Sequence, residues 1–337
     1  MSLVIVTSSR FADHLNPPGH PERVERAEVM EVVAGGWKDA GGAVLEPRAA
    51  TDDDLARVHS REHIARITAT RGRASKIDED TFTSPESEEV ARLAAGAVLT
   101  AVDAVLGVGT ANRLRQGYGG QEAVPDGSRA VPDDPQAVPC KHALAMVRPP
   151  GHHAEGERAM GFCLYNNIAV GAAYARSRGC ARVAIVDFDV HHGNGTQWIF
   201  YGDPTVLFVS SHQYPFYPGT GAASEIGSGA GAGFTLNLPL TIGTQDIEIE
   251  RLYASLVVPK VRAFKPDLLM ISAGFDAHEE DPLGQLRLTT AGFGRLTRIL
   301  LDLADEVCGG KVVLVTEGGY DTHALAACLR AVIDVCK

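Results

Sequence analysis

Short runs of β-branched and aliphatic residues recur along the chain, each followed by a stretch in which apolar positions return every three or four residues. The runs at 3–6, 143–147, 183–188, 206–209, 268–271 and 312–315 predict strands, and 84–106, 166–178, 246–264, 289–307 and 322–335 predict amphipathic helices. The strand runs are apolar without alternation, the pattern of strands buried on both faces. Such strands separated by helices imply βαβ units and a largely parallel sheet covered on both sides. The opening run M-S-L-V-I-V reads as the first strand; it is too short, and lacks the basic residues, for a secretory leader.

One segment breaks the rhythm. From 107 to 139 the chain is rich in Gly, Pro, Gln and Asp with no sustained period, and it is expected to be a mobile surface insertion. Being a connection from a helix to a strand, it is expected on the face opposite the site discussed below. The run G-S-G-A-G-A-G at 227–233 is expected to be a turn or a loop near a ligand, because it precedes an apparent strand where a dinucleotide fingerprint would follow one.

At 337 residues and 45% apolar content the chain can bury a large core, and the alternation predicts one α/β domain over 1–337. The formal net charge of −11 disfavours a nucleic-acid partner and suits cationic substrates. No apolar stretch approaches the roughly 20 residues of a membrane span. The six cysteines are scattered without C-x-x-C spacing, which points to reduced thiols in a cytoplasmic protein.

In parallel sheets, ligands bind at the carboxyl ends of the strands. His152 and His153 follow the second predicted strand, Asp187 to His191 close the third, Asp276 follows the fifth and Tyr320 the sixth. If the strand stays extended through D-F-D-V-H, Asp189 and His191 point to one side, and Asp276 can supply a third ligand. Three protein ligands and an open position describe a catalytic zinc site. Such an ion acidifies water and polarises a carbonyl, and a base and an acid are then needed, roles that suit the tandem histidines. Asp187 and Asn194 could hold their far nitrogens and set them to different pKa values. A tyrosine hydroxyl such as that of Tyr320 can stabilise an oxyanion. Taken alone, that tyrosine reads as a core or surface residue rather than a catalytic one.

The segments R-P-P-G-H-H-A-E-G-E-R-A-M-G-F-C-L-Y-N-N, V-D-F-D-V-H-H-G-N-G-T-Q, P-F-Y-P-G-T-G, S-A-G-F-D-A-H-E-E-D-P-L-G and E-G-G-Y together resemble the zinc-dependent histone deacetylase superfamily, closest to its class II branch and the bacterial histone deacetylase-like amidohydrolases. The likeness runs from about Pro18 to the C-terminal helix, interrupted by 107–139. It implies an arginase-like three-layer α/β fold and hydrolysis of N-acetyl amides, typically on lysine. By the same resemblance Asp189, His191 and Asp276 are the zinc ligands and His153 is the base and acid. His152 is its electrostatic partner, backed by Asp187, and Asn194 holds His153 where other branches have Asp. Tyr320 polarises the carbonyl. Gly161, Phe162 and Tyr217 match the narrow channel for the alkyl chain, and Asp78, with Asp80 as its alternative, matches the rim aspartate. One Zn2+ per chain is implied, with Fe2+ as the alternative, and K+ as a structural ion held by the Asp187 to His191 backbone and Ser210. Leu283 stands where acetylpolyamine-deacetylase relatives place Glu, which favours acyl-lysine over a small acylated amine, although Glu279, Glu280 and Asp281 lie nearby. A two-manganese ureohydrolase is disfavoured because Asp276 is followed by A-H, and a silent acyl-amine-binding module because the site residues are complete. Self-association is compatible with the sequence.

Overall fold

The computed structural model describes residues 2–108 and 140–337, so the segment 107–139 lies, apart from Gly107 and Val108, outside the described residues. In chain order the strands are β1 (Leu3–Val6), β2 (Ala43–Leu45), β3 (Ser75–Lys76), β4 (Phe82–Thr83), β5 (His142–Ala145), β6 (Val183–Asp187), β7 (Val206–Gln213), β8 (Thr235–Leu240), β9 (Leu268–Ala273) and β10 (Val312–Thr316). β3 and β4 form a small antiparallel pair. The other eight make one sheet in the order β2-β1-β5-β10-β9-β6-β7-β8, and every neighbouring pair is parallel.

The helices are α1 (Glu25–Asp39), α2 (Asp52–Leu55), α3 (Arg61–Thr68), α4 (Ser87–Leu106), α5 (Asn167–Ser177), α6 (Asn194–Phe200), α7 (Asp246–Leu252), α8 (Val258–Phe264), α9 (Thr290–Cys308) and α10 (Thr322–Cys336). Sequence periodicity joins α7 and α8 into one helix, but a π-helical turn at Tyr253–Val257 separates them. Pro259, in the first turn of α8, has no N–H to continue the regular pattern.

Alternate strand residues enter different cores, which explains the unbroken apolar runs. Leu3, Ile5, Leu144, Val186 and Val209 pack with α1, α9 and α10, whereas Val4, Val6, Ala145, Ile185 and Val206 pack with α4 and α5. Three layers result. α4 lies so close to the chain before α2 that a Cβ on Gly96 would sit 1.7 Å from the carbonyl oxygen of Arg48. Among the described residues no helix is long and apolar enough to cross a membrane. The Gly-rich run at 227–233 is a tight turn with a short 3-10 segment at Gly229–Gly231, leading into β8.

Candidate metal and proton-transfer site

Four adjacent strands of the sheet centre, β5, β10, β9 and β6, end beside one another, and the loops that leave them carry the candidate residues. β6 ends at Asp187, so the extended strand expected through His191 is not what aligns Asp189 with His191. Two side-chain-capped turns do so instead. Asp187 Oδ1 accepts from the Asp189 N–H at 3.1 Å, and Asp189 Oδ1 accepts from the His191 N–H at 2.9 Å. Asp276, beyond β9, is tied to the same loop: its Oδ1 accepts from the Val190 N–H at 2.9 Å.

His191 Nδ1 then lies 3.1 Å from Asp189 Oδ1 and 3.1 Å from Asp276 Oδ2. The three side chains are buried, and one ligand atom of each lies within 4.8 Å of the others. Burial pushes the Asp276 carboxyl up, and the nearby Asp189 pushes it further, to about 7. Burial opposes charge on His191 too, but the two carboxylates raise it to about 10. Two buried carboxylates this close are disfavoured as a doubly ionised pair without positive charge beside them, and the O, O, N donor set could hold zinc. The backbone makes room: a Cβ on Gly274 would lie 2.0 Å from Asp189 Oδ2, and one on Gly318 2.0 Å from Asp276 Oδ2.

The two histidines stand beside this cluster, their ring centres 4.0 Å apart. His152 Nδ1 donates to Asp187 Oδ2 at 3.0 Å, and His153 Nδ1 donates to Asn194 Oδ1 at 2.8 Å. Their environments push them apart. Burial works against the His152 imidazolium, yet Asp189 and Asp187 raise it to about 10. Burial, then the positive charge of His152 and His191, holds His153 well below 6.5. The backbone of the pair hangs on Glu317, whose Oε2 accepts from the Gly151 and His152 N–H groups at 2.7 and 3.1 Å.

Tyr320 is held from the side by Asp281. Its N–H donates to Asp281 Oδ2 at 2.6 Å, and the Leu283 N–H donates to Asp281 Oδ1 at 3.0 Å. Both Asp281 oxygens thus accept from backbone donors. Arg26 sits 5.0 Å from the Tyr320 ring centre and donates to the Gly319 carbonyl. Glu22 pairs with both Arg26 and Arg148, all three side chains fully buried. Glu22, Arg26, Arg148, Asp281 and Glu317 were missed as site residues. Arg148 and Glu317 follow strand ends, whereas Glu22 lies just before α1, Arg26 in its first turn and Asp281 in the loop beyond β9.

The channel residues frame the same spot. Gly161 (φ +57°) lies flat on His153, where a Cβ would meet its Cδ2 at 2.5 Å. Phe162 (φ +68°) stands edge-on to Tyr320 at 5.9 Å and to His20 at 4.6 Å, and Tyr217 edge-on to His153 at 5.1 Å. A non-glycine residue at such a φ is strained, as is frequent at functional sites. Leu283 lines a 610 Å³ cavity with His20, Pro282 and Tyr320. Asp78 Oδ1 accepts from the Asp80 and Thr81 N–H groups and shapes its turn. Asp80 accepts from the Thr81 hydroxyl, which in turn accepts from the Phe162 N–H at 3.1 Å. Ser210 and Asp187 are register partners on β7 and β6, and Ser210 Oγ contacts His212 Nδ1 at 2.9 Å.

Eight parallel strands, with a buried Asp-His-Asp cluster at their carboxyl ends, define an α/β enzyme of the arginase-like class. The Histone deacetylase domain profile matches residues 19–336. A probable deacetylase of Archaeoglobus fulgidus is 37% identical over 322 residues, covering 95% of this chain and 81% of that protein. The histone deacetylase-like amidohydrolase of Pseudomonas aeruginosa is 37% identical over 288 residues, covering 85% and 68%. The crystal structure of an HDA15 HD domain superposes with a TM-score of 0.84 at 37% identity, covering 99% of this chain and 88% of that one. The chain belongs to the histone deacetylase family, whose members hydrolyse amides.

Proposed function

We propose that the chain acts over 1–337 as one zinc-dependent deacetylase domain that releases acetyl groups from lysine side chains. The observation that carries this reading is the three-donor cluster of Asp189, His191 and Asp276 beside a neutral His153. Zinc held there would polarise the scissile carbonyl and bring the pKa of a water towards about 7. His153 takes the proton of the attacking water at Nε2, since its Nδ1 already donates to Asn194, and returns it to the leaving amine. His152, kept as imidazolium by Asp189 and Asp187, supplies positive charge next to the developing oxyanion. The Tyr320 hydroxyl donates to the same oxygen. Gly161, Phe162 and Tyr217 line the alkyl chain, and the acidic rim around Asp78 and Asp80 receives the substrate backbone.

Zinc is preferred over Fe2+, and K+ near Ser210 and the Asp187 to His191 backbone belongs to the same proposal. The cytoplasmic setting rests on the six free thiols. Acetyl-lysine peptides, acetylpolyamines and aryl acetamides assayed side by side test the substrate class. The peptides are expected to have the highest kcat/KM; a clear preference for acetylpolyamines would favour the small-amine reading instead.

A further inference from the structure

An asparagine that holds a catalytic histidine has a weakness that an aspartate lacks. Its amide presents an acceptor on one side and a donor on the other, so a half-turn of the side chain would offer N–H to His153 and reverse the tautomer. With Nδ1 as the acceptor, the proton would sit on Nε2, and the histidine could no longer act as a base from that atom. Something must therefore set which way Asn194 faces.

We infer that Glu155 is a positioning residue that fixes the Asn194 amide and through it the tautomer of His153. The Asn194 Nδ2 donates to Glu155 Oε1 at 2.9 Å while Oδ1 faces His153 Nδ1 at 2.8 Å. Asn194 Nδ2 also approaches Met160 Sδ at 3.4 Å and the His153 carbonyl at 3.5 Å, two weaker acceptors on the same side. A carboxylate can only accept here, so the flipped amide would set its oxygen against a negative charge. Glu155 itself is anchored by its backbone. Its N–H donates to the Arg158 carbonyl at 2.8 Å, and its carbonyl accepts from His59 Nδ1 at 3.0 Å. His59 is fixed in turn, because its Nε2 accepts from the Asn166 N–H at 2.9 Å and burial lowers its pKa to about 3. The backbone that carries the half-buried carboxylate is thus fixed beside Asn194 by groups with settled donors and acceptors.

The inference rests on His153 acting as the base, and its test separates the two. In the zinc-loaded protein, the nitrogen chemical shifts of the His153 ring report which nitrogen carries the proton, whether or not turnover occurs. Wild-type protein is expected to show the Nδ1–H form, and Glu155→Gln a substantial share of the Nε2–H form, because glutamine can accept from or donate to Asn194. Activity supplies the second arm. Glu155→Gln should lower kcat about tenfold with KM within about twofold in the wild-type background, yet lower it not at all in Asn194→Asp, where either oxygen accepts. An unchanged His153 tautomer in Glu155→Gln, or an equal loss of kcat in both backgrounds, would overturn the inference. Absence of deacetylation in every variant, with the tautomer responding as stated, would instead count against the deacetylase reading alone.

Discussion

Gly318 meets Asp276 so closely that a Cβ on the glycine would lie 2.0 Å from the carboxylate Oδ2 and 2.8 Å from Asp189 Oδ2. The first glycine of E-G-G-Y is therefore part of the candidate metal site, although it bears no ligand atom. Its N–H donates to Asp189 Oδ2 at 2.8 Å, so the backbone orients the carboxylate that a side chain would displace.

Gly318→Ala is accordingly expected to weaken zinc binding at least tenfold, a loss of about 1.4 kcal/mol or more. Competition with a chelating dye measures it. Gly35→Ala, in α1 with nothing within 4 Å of the new Cβ, should bind zinc as the wild type does. Equal affinity in all three proteins would contradict the cradle.

The stabilisation conferred by zinc should grow with pH. Asp276 has a folded pKa of about 7 against 3.8 ordinarily, so its contribution to the metal-free fold is present below 3.8 and lost as pH rises through 7. His191, raised to about 10, acts in the same direction, its contribution falling away as pH rises through 10. Zinc competes with those protons and removes the penalty. The difference in Tm between zinc-loaded and metal-free protein is expected to widen from pH 6 to pH 8. A constant or shrinking gap would show that these groups do not meet the ion.

Asp281→Asn should impair Tyr320 without touching substrate. The amide keeps one acceptor and sets an N–H against backbone donors, so the loop of Gly319 and Tyr320 loses an anchor. A fall in kcat of about tenfold or more is expected for acetyl-lysine. In a cycle with Tyr320→Phe the two losses should not add, since both act through one hydroxyl. Additive losses would place Asp281 outside this role.

Leu283→Glu should shift the substrate preference. Leu283 lines the cavity next to Tyr320, and a carboxylate there would favour a cationic amine. The ratio of kcat/KM for acetylspermidine to that for an acetyl-lysine peptide is expected to rise about tenfold. An unchanged ratio would remove residue 283 from specificity.

The parts of this fold that are legible in the sequence are those where local pattern and tertiary burial agree. Residues 183–186 of β6 and 312–315 of β10 are continuous apolar runs because each of these residues enters a core. α1 escaped notice because Gly35 and Gly36 interrupt a weakly amphipathic stretch, and its burial against α10 decides its state. The geometric reason that pairs Asp189 with His191 in the sequence does not hold: successive capped turns, not a pleat, bring them together. The Glu22, Arg26 and Arg148 cluster was out of reach, since Arg148 and Glu22 are 126 positions apart and only the sheet order makes them partners. The role of Asp281 rests on backbone donors from Leu283, Tyr320 and Asp321, which sequence spacing does not show.

The central claim is that the Asp189, His191 and Asp276 cluster holds the ion while His153 moves the proton. Acetate release from an acetyl-lysine peptide, measured together with zinc content for wild type and His153→Ala, tests it most directly. The expected result is one zinc per chain in both proteins, turnover by the wild type, and a loss of at least about a hundredfold in the variant. Undiminished turnover in His153→Ala, or none in fully zinc-loaded wild type, would contradict it.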